Sequence, residues 1–167
     1  MRNAALLGVA AWLAAGLASA EPPSLDHQPV PCTEAEKPLT LCATVTDDGT
    51  VAKVRVYFRA AGEKFYSFVD MTFGGLNFCG TLPAPREGKV KTVEYYVQAV
   101  DDQYESIRTS TFQMTVQPEG ACEFAPVEKD PAKFASITVY ATHKDQGRKL
   151  PEGFLGAGVS FVPVLRK

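Results

Sequence analysis

From Leu39 to Val116 the chain is written in short apolar runs that alternate with period two and are cut by turn residues. "LTLCATV" sends Leu39, Leu41, Ala43 and Val45 to one side. "VAKVRVYFR" sets Val54, Val56 and Phe58 against Arg55, Tyr57 and Arg59. That alternation cannot hold an apolar stripe on a helix, whose repeat is about 3.6 residues, but it gives a strand one buried and one solvated face. Asp47-Asp48-Gly49, Gly62-Glu63, Gly74-Gly75 and Asp101-Asp102 supply the breaks, because these residues bond their own backbone or accept unusual dihedrals. "FYSFVDMTF", "NFCGTL", "VEYYVQAV" and "TSTFQMTV" complete the series. Strands at this spacing, rich in β-branched and aromatic residues, predict an all-β sandwich. After residue 20, no stretch reads as an amphipathic helix of normal length.

The N-terminus follows different rules. Arg2, the apolar run "AALLGVAAWLAAGL" and Ala18-Ser19-Ala20 form the pattern of a secretory signal, cleaved after Ala20. A membrane anchor would need about 18 or more apolar residues and no cleavage site. The first cysteine is Cys32, so the attachment pattern of a lipoprotein is missing. The expected product is periplasmic or secreted, with no transmembrane span after signal cleavage. Residues 21–31 are Pro-rich and predict an extended arm. Residues 32–122 hold the strand-like segments, and 123–135 form a linker with Pro126 and Pro131. Residues 136–167 bring the strand-like "SITVYA" and an apolar, Gly-rich tail.

Cys32, Cys42, Cys79 and Cys122 all lie beyond the signal. An even number in an oxidising compartment reads as two disulfides, with three connectivities open. Zinc frameworks favour closely spaced pairs, and the gaps here are 10, 37 and 43 residues. Seventeen Lys and Arg against nineteen Asp and Glu give −2, or −3 once Arg2 leaves with the signal. A nucleic-acid partner would need a basic stripe, so none is expected.

"VRVYFRAAGEKFYSFVDM", "CGTLPAP" and "VEYYVQAVDD" resemble the immunoglobulin-like or fibronectin type III-like modules of bacterial exported proteins. Tyr95, Val97, Ala99 and Asp101 match their Y-x-V-x-A strand and acidic turn. The resemblance covers roughly residues 30–122 and implies a seven-stranded sandwich, strands A to G. It also implies that Tyr95 is a tyrosine corner tied to a nearby loop. Antibody domains carry a core Trp and a cysteine pair between strands B and F; this chain has neither. In the implied topology strands B and E are neighbours, and alternation places Cys42 and Cys79 on their common outer face. The implied bridges are therefore Cys42–Cys79 and Cys32–Cys122.

Three groups of residues are candidates for chemistry. The same topology brings two acidic turns to one end, with Asp47, Asp48, Asp101, Asp102 and Glu105. Calcium takes six to eight such oxygens, but Asp is also simply a preferred turn residue. No cofactor is expected, with calcium the one candidate. The second group is an outer face carrying Arg55, Tyr57 and Arg59 beside Tyr96, extended by Tyr66 and Phe68. So many rings on a solvent face mark a contact site, unless "SITVYA" or the tail from Phe154 lies across them. The third is "LPEGF" and the apolar segment after it, which follow the order of a sorting signal. Gly153 and Phe154 stand where that signal wants Thr and Gly, and the segment is too short to span a bilayer. Peripheral contact of this tail with the envelope remains an expectation. His27 and His143 are the only histidines, and no Gly-x-Ser-x-Gly elbow occurs, so the reading is non-enzymatic. The expected function is protein binding or cell-envelope association. A carbohydrate or surface-polymer module and an accessory subunit of a secreted enzyme are the alternatives.

Overall fold

The computed structural model describes residues 21–123 and 136–165. The expected signal peptide, most of the linker and the last two residues lie outside the described residues. The described chain is all-β, with eleven strands and one 3-10 turn, Lys144–Gln146. In chain order the strands are β1 Ser24–Asp26, β2 Cys32–Glu34, β3 Leu39–Thr46, β4 Val51–Ala60, β5 Ser67–Phe73 and β6 Phe78–Leu82. They continue with β7 Thr92–Asp101, β8 Ser106–Arg108, β9 Phe112–Gln117, β10 Ile137–Ala141 and β11 Val159–Val162.

One path of neighbours runs β1-β3-β6-β5-β4-β7-β9-β2, so the sheet curls around its core. The turn of the curl is β5. Val69 and Met71 pair with β4, whereas Thr72 and Phe73 pair with β6. Gly80 makes that crossing fit. A Cβ on it would stand 2.9 Å from the Met71 side chain, closer than packed atoms tolerate.

The alternation in the sequence becomes the core. Leu39, Leu41, Ala43 and Val45 of β3 meet Val54, Val56 and Phe58 of β4 and Val93, Tyr95, Val97 and Ala99 of β7 in one cluster. Burying a Val, Leu or Phe side chain is worth roughly 1.5–3 kcal/mol, and this cluster is where the sequence spends its apolar residues.

Eleven strands exceed the expected seven. The N-terminal residues are stitched down twice: β1, in the Pro-rich arm, pairs antiparallel with β3, and β2, just after the arm, pairs parallel with β9. The short β8 turns back to pair with β7. The C-terminal segment joins the same core. β10 pairs with β5 through Tyr140 opposite Phe68, and β11 runs parallel to β10. Between them Phe154 turns inward, 2% exposed, edge-on to Phe58 with ring centroids 5.1 Å apart. The tail therefore extends the sheet and plugs the core, and β10 lies beside the aromatic face rather than across it. The disulfides are Cys32–Cys122 and Cys42–Cys79. Cys42 and Cys79 are directly opposed across the β3–β6 ladder.

Candidate binding face

The outer surface of the β10-β5-β4-β7 sheet carries a continuous row of rings. Its members sit at paired positions: Tyr140 opposite Phe68, Phe68 opposite Tyr57, and Tyr57 opposite Tyr96. Directly opposed side chains on one face interact across the ladder, and here they stack. Tyr57 lies on Tyr96 with centroids 4.7 Å apart and planes 7° from parallel. Phe68 lies on Tyr140 at 5.0 Å and 13°. Tyr57 and Phe68 tilt together at 5.3 Å, and Tyr66 meets Tyr96 edge-on at 5.2 Å. On β11, Val162 stands opposite Tyr140 and carries the apolar row to a fifth strand.

Guanidinium groups lie over this row. Arg55 sits 4.3 Å above Phe68, Arg59 4.3 Å above Tyr66, and Arg108 5.3 Å from Tyr96. Such cation–π contacts add to stacking when the cation is partly desolvated. Arg55 and Arg59 are also held by carboxylates directly opposite them in the ladders. Arg55 Nε donates to Asp70 at 2.9 Å, and Arg59 Nε donates to Glu94 at 2.7 Å. Arg108 forms no ion pair among the described residues, and it is exposed. Burial raises the Tyr96 hydroxyl above its ordinary pKa, and the neighbouring Tyr57 pushes it the same way.

All six residues read from the sequence as a face (Arg55, Tyr57, Arg59, Tyr66, Phe68 and Tyr96) are brought together. Sequence reasoning missed Tyr140, Arg108 and Val162. Alternation in "SITVYA" already set Tyr140 apart from Ile137 and Val139, but nothing in the sequence named β5 as its neighbour.

The acidic turns do meet at one end, where the Asp102 N–H donates to the Thr50 carbonyl at 3.0 Å. Their carboxylates serve the backbone. Asp47 accepts from the Gly49 N–H at 3.0 Å, and buried Asp101 accepts from Gln103 and Glu105 N–H groups, both at 2.8 Å. This is the turn-forming use of Asp. Among the described residues, no group of three or more His, Cys, Asp or Glu side chains could hold a metal ion. Asp48, Asp102 and Glu105 stay exposed.

Tyr95 faces inward and is fully buried, and its hydroxyl is tied to the connection between β1 and β2, far away in sequence. It accepts from the Val30 N–H at 2.9 Å and meets His27 Nε2 at 3.1 Å. His27 Nδ1 lies 2.8 Å from the Cys42 carbonyl. A carbonyl only accepts, so Nδ1 carries the proton and Nε2 takes the tyrosine hydroxyl's. The Pro-rich arm passes over the end of the Tyr95 ring and takes its hydroxyl.

No family model matches this sequence, and no curated protein matches it. Among solved structures the chain is similar to an engineered protein, at 17% identity and TM-score 0.44, over 57% of this chain and 20% of that one. It is also similar to a mutant of the SrpA adhesin from Streptococcus sanguinis, at 13% identity and TM-score 0.38, over 59% of this chain and 58% of that one. The chain thus spans less than two thirds of either. At these scores the likeness carries no functional weight.

Proposed function

We propose that this is an exported, non-enzymatic immunoglobulin-like module that binds a protein partner at the cell envelope through the Tyr57–Tyr96 face. The single observation behind the reading is the ring row with guanidiniums laid over it, spread over neighbouring strands of a rigid sheet. Tyr and Arg are the residues that most often dominate the energetics of protein contacts, and rings already stacked lose little entropy on binding. Two features support the immunoglobulin-like assignment. β3 and β6 lie next to each other, as strands B and E do in such modules, and so do β4 and β7, as strands C and F do. β2 runs parallel to β9 as an added edge strand. Two disulfides fit an oxidising compartment, and no helix of the described residues is long and apolar enough to cross a membrane.

The ring geometry favours protein over carbohydrate. A sugar lies flat on an open ring face, whereas here the faces of Tyr57, Tyr96, Phe68 and Tyr140 are turned on each other. The test uses Arg108→Glu, which reverses an exposed charge at the end of the row without unpairing a buried group. Wild-type protein should bind intact cells of the producing organism saturably. Arg108→Glu should weaken that binding at least about tenfold, or roughly 1.4 kcal/mol, with an unchanged thermal midpoint. Equal binding by the two proteins overturns the assignment of the face.

A further inference from the structure

At the end of the curled sheet opposite the acidic turns, the loop between β6 and β7 and the C-terminal segment close on a concavity of about 460 Å³. Backbone bonds fix its walls. Arg86 N–H donates to the Gly153 carbonyl, and Leu155 N–H to the Ala84 carbonyl, both at 2.8 Å. The floor is apolar, from Leu150, Pro151 and Phe154. Arg86, Lys89 and Lys149 line it as well, with Glu152 the one carboxylate.

None of these three cations forms an ion pair among the described residues. Arg55 and Arg59 on the aromatic face, by contrast, are both paired. Arg86 is also held in place. Its Nε donates to the Phe154 carbonyl at 3.4 Å, which leaves both terminal nitrogens for a ligand. Lys89 and Val90 N–H groups both donate to the Arg86 carbonyl at 3.2 Å, and this tight turn brings Lys89 round to the same rim.

Three unpaired cations over an apolar floor set the ligand's chemistry. A small hydrated anion would leave the floor unused. A neutral apolar molecule would use the floor and leave the three exposed cations at the rim without a counter-charge. The volume is that of an ordinary small-molecule site, where an apolar lining supplies burial and a few polar groups fix orientation. We propose that this pocket binds an amphiphilic anion: a carboxylate, phosphate or sulfonate carried on an acyl or aromatic body. The site is independent of the aromatic face and does not rest on it.

The probe is anilinonaphthalene sulfonate, titrated by fluorescence into the intact mature protein. Phenylnaphthylamine, which has the same rings and no sulfonate, is the neutral control. The sulfonate dye should bind one site at least about tenfold more tightly than the neutral one. The double variant Arg86→Gln/Lys149→Gln removes two exposed, unpaired charges and the long Arg86–Phe154 hydrogen bond, so its thermal midpoint should fall by no more than a few degrees, about 1 kcal/mol or less. In it, the sulfonate dye should bind no more tightly than the neutral dye. Equal affinity of the two dyes for the wild type, or sulfonate binding unchanged in the double variant, overturns the proposal. Sedimentation with phosphatidylglycerol vesicles separates the sources of such an anion. Wild-type sedimentation lost in the double variant supports a membrane lipid, and dye binding without sedimentation supports a free amphiphile.

Discussion

Tyr95 joins two parts of the molecule that are 65 residues apart in sequence. Its ring belongs to the core, and its hydroxyl holds the arm through Val30 and His27. Burial raises its pKa above the ordinary tyrosine value, and the Val30 N–H opposes that shift. Removing the hydroxyl strands a backbone N–H and a histidine nitrogen beside an apolar ring. Tyr95→Phe should therefore cost about 1 kcal/mol or more, measured by denaturant unfolding. Tyr96→Phe keeps the stacked ring on the outer face and should cost close to nothing. Equal costs would mean that the two side chains do not differ in burial as the structure has them. Which tyrosine points inward was legible, because alternation in "VEYYVQAV" fixes it. The partner was not. A hydroxyl bonds whatever backbone reaches it first, and no local pattern in "HQPV" says that this arm passes over β7.

Strands of the last thirty residues show where reading by element runs out. "SITVYA" alternates and reads as a strand, but its place beside β5 depends on an edge left free more than sixty residues earlier. "FLGAGVSFVPVL" reads as a loose apolar tail, because glycines and Pro163 mask both periods. Packing decides instead. Phe154 packs edge-on to Phe58 in the buried cluster that also holds Val90. Phe154→Ala should cost about 3 kcal/mol or more, the usual range for emptying a buried aromatic site, and should lower the denaturant midpoint without altering its slope. Pro163 has a different use. β11 is an edge of the sheet, and edges invite other strands. The Val159 N–H is already taken by the Gly156 carbonyl at 3.1 Å, and Pro163 offers no N–H at all. The edge is thus blunted at both ends. Pro163→Thr restores a donor, and sedimentation velocity should then show dimers that the wild type lacks. A monomeric variant at matched concentration would remove this role from Pro163.

For the whole molecule, the two bridges do unequal work. Cys42–Cys79 closes a separation of 37 residues across a ladder that β3 and β6 already form, with Cys42 on the outside of the sheet. Cys32–Cys122 closes a separation of 90 residues, is buried at both cysteines, and locks β2 to the chain leaving β9. Loop-closure entropy gives roughly 4 kcal/mol for the shorter loop and nearer 5 for the longer. That difference of less than about 1 kcal/mol is too small to decide anything by itself. Burial decides it. Serines in place of Cys32 and Cys122 would put two hydroxyls into apolar surroundings, at about 1–3 kcal/mol for each one left unsatisfied, whereas serines at 42 and 79 sit at or near solvent. A domain of this size has a small core and depends on its staples, so full reduction should lower the thermal midpoint by more than about ten degrees. Cys32→Ser/Cys122→Ser should account for most of that drop and should also free the arm, making bonds around residues 27–31 the first cut by a nonspecific protease. Cys42→Ser/Cys79→Ser should melt closer to the wild type and keep the arm protected. If the two double variants melt together, or if the arm is cut equally in both, then the ladder and the Tyr95 hydroxyl hold the N-terminal strands without help from the longer bridge.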